Sequence, residues 1–263
     1  MSSREALSPL WIAVLIIALI GLSVLAFRWF TAEPPAPMPA EQRVPANSAN
    51  DPVPGAGAAD ERRRRPEMPP LDASDAVVRE LASTLTEHPK LAAWLVPDDL
   101  VRKLVATVDN IARGDSPRPH LKHMVPEGSF DVEARPGGGL RVAESSYRRY
   151  DLVTEVFTSL DIGATVRLYY DMEPLFDEAW AELGDPRVTF RESLAQSIDL
   201  LMEVPIPEGS PSVDPKVSSY VYSDPALEQR TEAEKHLLRL GPENARKVQT
   251  KLRFLRAALD LDG

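Results

Sequence analysis

From residue 71 onward, apolar positions recur at three- and four-residue intervals, the pattern of helices that each bury one stripe. Ser74 and Asp75 can cap a helix carrying Val77, Val78, Leu81 and Leu85. Pro97-Asp98-Asp99 opens a second, with Leu100, Leu104, Val108 and Ile111 on one face and Gly114 as its stop. A short helical link is expected between them, over 90–96. After a proline-broken stretch, Phe130, Val132 and Ala134 alternate with polar residues. Residues 135–139 then turn the chain, and Leu140 and Val142 resume the alternation, which predicts one small β-hairpin.

The helical period returns at Ser145 or Ser146, with Tyr150, Val153, Phe157 and Leu160 inward, and Asp161 can cap the next helix. That helix runs to Leu183 and contains Pro174, which removes the hydrogen bond to the Tyr170 carbonyl and predicts a kink or a split. Val166, Tyr169 and Tyr170 form the stripe before the proline; Leu175, Phe176, Ala179, Trp180 and Leu183 form a rotated one after it. A further helix is expected over Thr189 to Met202, with Leu194, Ile198 and Leu201 inward. Residues 204–225 read as irregular, with a short extended stretch from Val217 to Tyr222. Thr231 and Glu234 form a capping box, Gly241 stops that helix, and Pro242 begins the last one, where Val248, Leu252, Leu255 and Leu259 recur.

Ahead of this domain the pattern differs. Leu10 to Phe27 is 18 residues without a charge, about 27 Å as a helix against a hydrocarbon core of about 30 Å, and Arg28, Trp29 and Phe30 suit an interface. The run exceeds the usual apolar core of a signal peptide and no small-x-small cleavage site follows, which favours a retained single anchor. Residues 31–70 hold 10 of the 25 prolines and eight alanines with few large apolar side chains, the composition of a tether. The fold class expected is therefore mainly α. A head (1–9), a transmembrane helix (10–30) and a Pro/Ala-rich disordered linker (31–70) precede a helical domain (71–263) with one hairpin.

The chain carries a net charge of −10, all of it in the domain, where 33 acidic residues face 23 basic ones. This balance disfavours nucleic acid as a partner. With no cysteine, the redox compartment is unreadable. Positive charge near the anchor is too sparse to fix orientation. A nine-residue head is easily left in the cytoplasm while the remainder is exported, so a periplasmic domain is favoured over a cytoplasmic one. The run Arg62 to Arg65 reads as a solvated patch, or as one lying against the acidic domain.

Five separated stretches, Pro70 to Asp75, Leu95 to Leu100, Ala106 to Gly114, Tyr147 to Asp151 and Leu240 to Arg246, together resemble a bacterial family known as domain-of-unknown-function family 3014. The similarity extends over about Pro69 to Leu259. It implies a membrane-tethered bacterial envelope protein and brings no activity and no functional residues.

No catalytic, cofactor-binding or metal-ligating residue can be assigned. His120 and His123 lack the further ligands that a metal needs. The turn Gly137-Gly138-Gly139 lacks the lysine and spacing of a phosphate loop. Asp171, Glu178 and Glu182 read as a solvated helix face, and Arg246, Lys247, Lys251, Arg253 and Arg256 as cations spread around the last helix. Tyr147, Arg148 and Arg149 are the one candidate recognition patch, since adjacent guanidinium groups can hold a carboxylate or phosphate and tyrosine can stack. The function expected is a non-enzymatic scaffold or adaptor at the inner membrane, binding another envelope protein or polymer. The alternatives are an envelope enzyme using carboxylates brought together by the fold, such as a pair from Asp151, Asp171 and Asp199, and a cytoplasmic regulatory module.

Overall fold

The computed structural model describes residues 68–261 except 125, 184, 185 and 218. The expected head, the membrane helix over 10–30, the Arg62 to Arg65 run and most of the linker lie outside the described residues. Among the described residues no helix is long and apolar enough to cross a membrane.

The domain is mainly helical with a small antiparallel sheet. Its helices are α1 (Asp75–Ser83), α2 (Lys90–Trp94), α3 (Leu100–Ala112), α4 (Glu144–Arg148), α5 (Asp151–Ser159), α6 (Ile162–Leu183), α7 (Phe190–Met202), α8 (Pro225–Glu228), α9 (Glu232–Leu238) and α10 (Pro242–Ala258). The strands are β1 (Val132–Ala134), β2 (Leu140–Val142), β3 (Ser212–Lys216) and β4 (Ser219–Tyr222). Local chemistry accounts for most of the starts. Thr189 and Thr231 each form a full capping box, with Glu192 and Glu234. Asp161 Oδ1 accepts from the Ala164 amide at 2.6 Å. Asp75 caps α3 from a distance, accepting the amides of Asp99 and Leu100 at 2.8 and 3.0 Å.

The main core joins α3, α6, α7 and α10 through Val101, Val105, Tyr169, Leu175, Phe176, Phe190, Ile198 and Leu252. Aromatic rings run through it: Phe176 lies 5.7 Å from Tyr169 and 4.8 Å from Phe190. Three expectations are corrected here. On α3 the buried stripe is Val101, Val105, Val108 and Ala112, and Leu104 faces solvent. The two stripes are equally periodic in sequence; small branched side chains facing both α6 and α7 make the valine stripe the one that packs. Leu183, expected inward, is also exposed. Pro174 does not split its helix, because it sits on the solvent side. The freed carbonyl there can be hydrated, and Met172, Leu175 and Phe176 flank it within one core.

Buried polar side chains close helix C-termini. Gln249 Nε2 reaches the carbonyls of Leu201, Met202 and Val204 at 3.0, 3.2 and 2.9 Å, at the end of α7. Lys251 Nζ donates to the carbonyls of Thr158 and Leu160 at the end of α5. From nearly opposite faces of α10, two residues apart, these side chains fasten two neighbours.

The hairpin β1–β2 forms as expected, but it does not stand alone. The extended stretch is β4, paired with β3, and the sheet order is β1-β2-β3-β4. Pro211 and Pro215 disguise β3 in the sequence. Pro215 is tolerated because its nitrogen points toward β2 at a level where β2 has already ended: pairing between the two covers only Leu140 with Val213 and Arg141 with Ser212. The register puts Val132, Leu140, Val142, Val213 and Tyr222 on one face, and Glu133, Arg141, Ser212 and Asp214 on the other. The apolar face forms a separate small core with Tyr147.

Candidate functional site

Of the three residues in the expected recognition patch, Tyr147 is 5% exposed and is the aromatic centre of the sheet's core. Burial pushes its hydroxyl up to about 12. Ser210 lies beside that hydroxyl without the geometry of a hydrogen bond, so the buried oxygen has no partner. Arg149 donates to the carbonyls of Gly128 and Ser146 at 3.0 and 3.2 Å and lies 5.5 Å from the centre of the Tyr150 ring. Arg148 alone is exposed. The three therefore do not share one surface. Tyr150, expected inward, is only half-buried, because α4 ends at Arg148 and the chain breaks before α5.

The structure instead brings two separated sequence stretches against each other. Gly241 sits at φ +85°, and a Cβ there would lie 2.5 Å from Tyr147 Cγ. Three residues on, Asn244 Nδ2 donates to Asp151 Oδ1 at 2.8 Å and to the Leu240 carbonyl at 3.3 Å. Glycine is required for both the backbone angle and the ring's approach. This seam locks the sheet's aromatic plug to the start of α10. No local pattern in either stretch announces the other.

The carboxylates considered as an acid–base set stand on α5, α6 and α7. Asp151 is held by Asn244 and Asp199 by Arg256, the latter at 2.6 Å. Those partners are twelve residues apart on α10, about 18 Å along its axis, so Asp151 and Asp199 are not a pair. Glu182 shares Arg102 with Asp72 and Asp99, in an exposed ion cluster that lowers its own ionisation range. His120 and His123 lie on successive single turns, and among the described residues no group of His, Asp or Glu could hold a metal ion. On α10, Arg246 donates to the Pro207 carbonyl, Lys247 pairs with Glu243 and Arg256 with Asp199.

Exposed large apolar side chains are scattered over the helices, at Val96, Leu104, Leu152, Leu183 and Phe254, but on the sheet two of them meet. Phe130 and Tyr220 come from opposite edges and meet with ring centres 5.6 Å apart, yet remain 44% and 40% exposed. Val217, at the β3–β4 turn, is fully exposed at 106%. At the other end of the β3–β4 hairpin from Val217 lies an open depression of about 430 Å³, lined by Arg135, Pro207, Ser210, Ser212, Asp224 and Leu227. Its charges already have work: Arg135 binds the Ser212 hydroxyl, and Asp224 Oδ1 caps α8 through the Ala226 amide at 2.8 Å. The pleat parity of 130, 132 and 134 foreshadows this patch, but its other half comes from the strand that the prolines conceal.

The model of the family described as Protein of unknown function (DUF3014) matches residues 100–256, more than half of the chain, and the chain belongs to that family. The match contains the sheet and both halves of the Tyr147–Gly241 seam. A search of curated proteins and a search of solved structures each found no match.

Proposed function

We propose that the domain is a non-enzymatic adaptor that binds another envelope component through its four-stranded sheet. The observation that carries this reading is the pairing of exposed Phe130 and Tyr220 beside exposed Val217, on a sheet whose buried face is otherwise closed by Tyr147. Large apolar side chains gathered on a surface mark interaction sites in soluble domains. The polar groups that would suggest chemistry are instead engaged in capping and ion pairing. The Leu10 to Phe30 run would hold the domain at a bacterial inner membrane, and the proline-rich tether would let it work at a distance on the periplasmic side. A reporter fused after Gly263 should be active only when exported; activity confined to the cytoplasm would move the adaptor to that side.

A photo-crosslinking amino acid placed at Val217 of the full chain tests the binding role in living cells. A reproducible adduct is expected from that position, with none from Phe254, which is exposed on α10 outside the sheet. Absence of any adduct from the sheet under every growth condition would overturn the reading.

A further inference from the structure

The two edges of the sheet differ in what they offer. The carbonyl of Asp131 accepts from the Ala143 amide, and the Arg135 amide donates to Gly139. With Glu133 opposite Arg141, these fix the odd-numbered residues as the hydrogen-bonded pairs of the β1–β2 ladder. The N–H and C=O groups of Val132 and Ala134 therefore point away from the sheet, and among the described residues they meet nothing. On β4 the same reasoning turns Tyr220 and Tyr222 outward, but there the Tyr222 amide donates to Glu228 Oε2 at 2.9 Å and α8 packs against the strand. A carboxylate takes one outward donor of β4; for β1 no partner is found among the described residues.

We propose that β1 accepts an extended, basic segment of a partner protein as a fifth strand. This rests on the adaptor reading and names the partner's chemistry. Two donors and two acceptors, repeating at about 6.8 Å, match the alternate residues of an extended chain. Side chains set the rest of the requirement. Val132 and Ala134 lie on the apolar face, and Asp131 and Glu133, the latter also paired with Arg141 at 2.8 Å, on the polar one, so the incoming strand alternates apolar residues with lysine or arginine. A second copy of this chain is a poor occupant, because the antiparallel register that pairs Val132 with Ala134 across two copies sets Glu133 against Glu133. The net charge of −10 favours a basic partner further.

The test uses the full chain in detergent micelles with 15N-labelled valine and alanine, titrated with a ten-residue peptide alternating valine and lysine. Saturable shifts of the Val132 and Ala134 amides are expected. A peptide with glutamate in place of lysine, and one N-methylated along its bonding edge, should both leave them unmoved. Ala134→Pro removes an outward donor and no ladder bond, and should weaken binding by at least about tenfold while the Val142 amide stays in place. Unmoved amides with the valine–lysine peptide, or equal binding of its N-methylated form, would overturn strand addition. If Ala134→Pro disturbs Val142, the N-methylated peptide against the unaltered chain decides. A failed titration with an intact Val217 adduct removes the fifth strand and leaves the adaptor; loss of the adduct removes the adaptor itself.

Discussion

Gly241→Ala probes the seam on which the sheet's position depends. The added methyl would sit 2.5 Å from Tyr147 Cγ, 2.7 Å from Cδ1 and 2.8 Å from Cβ, all well inside contact distance. Tyr147 cannot swing away cheaply, being 5% exposed and packed on Val142 and Val213. Overpacking of this kind costs about 1–3 kcal/mol. The backbone angles, φ 85° and ψ 161°, lie in a region essentially restricted to glycine and add about 1–3 kcal/mol. The sum, about 2–6 kcal/mol, is a large part of the 5–15 kcal/mol that stabilises a typical domain. Gly137→Ala is the control, because φ there is +92° but nothing lies within 4 Å of the new Cβ. Urea unfolding of both variants, followed by the fluorescence of buried Trp180, should separate strain from collision. In Gly241→Ala/Tyr147→Ala the contacts with Cγ and Cδ1 vanish, so the two losses should sum to less than their separate values. Equal destabilisation by Gly241→Ala and Gly137→Ala would refute the close-packed seam.

Gln249→Leu leaves three carbonyls at the end of α7 without their donor and should cost about 2–3 kcal/mol by denaturant titration. Lys251→Met should cost about 1–2 kcal/mol: burial already holds the amine below its usual range, so relief of that penalty offsets part of the loss at the α5 carbonyls. His236 bonds Ser116 Oγ at 2.8 Å and is pushed down to about 4, first by burial and then by Arg239, with Glu232 opposing. A folded value below the unfolded 6.5 means that the unfolded chain binds the extra proton. Stability is thus complete above about pH 6.5 and falls as the pH drops toward 4, by about 1–2 kcal/mol after allowing for partial exposure. His236→Gln should flatten that slope in melting curves taken between those limits, and an unchanged slope would assign it to other groups.

Helices were legible wherever one stripe was apolar and its start was chemically marked. Thr189, Thr231, Asp161 and the Gly241-Pro242 junction all fall where the sequence places them. Choices between equivalent stripes were not legible: α3 offered Leu104 or Val101 and Val105, and only the neighbours on both sides decide. Half of the sheet was hidden because proline argues against a strand, and the exception at Pro215 depends on how far a distant strand extends. The Tyr147–Arg149 stretch was conspicuous for its chemistry, yet Tyr147 serves the core because Gly241 makes room for it from nearly a hundred residues away. An edge such as β1 cannot be read from one strand at all; its openness depends on which elements fail to cover it.

The binding role proposed for the sheet surface rests on Phe130, Tyr220 and Val217. Its most direct measurement combines the Val217 photo-crosslinker with Phe130→Ser and Tyr220→Ser in the full chain, in cells. Both rings are about half exposed at the margin of the fold, so the melting temperature of the double variant should fall by only a few degrees. The Val217 adduct should then disappear. An adduct that persists undiminished on a folded double variant would contradict that role.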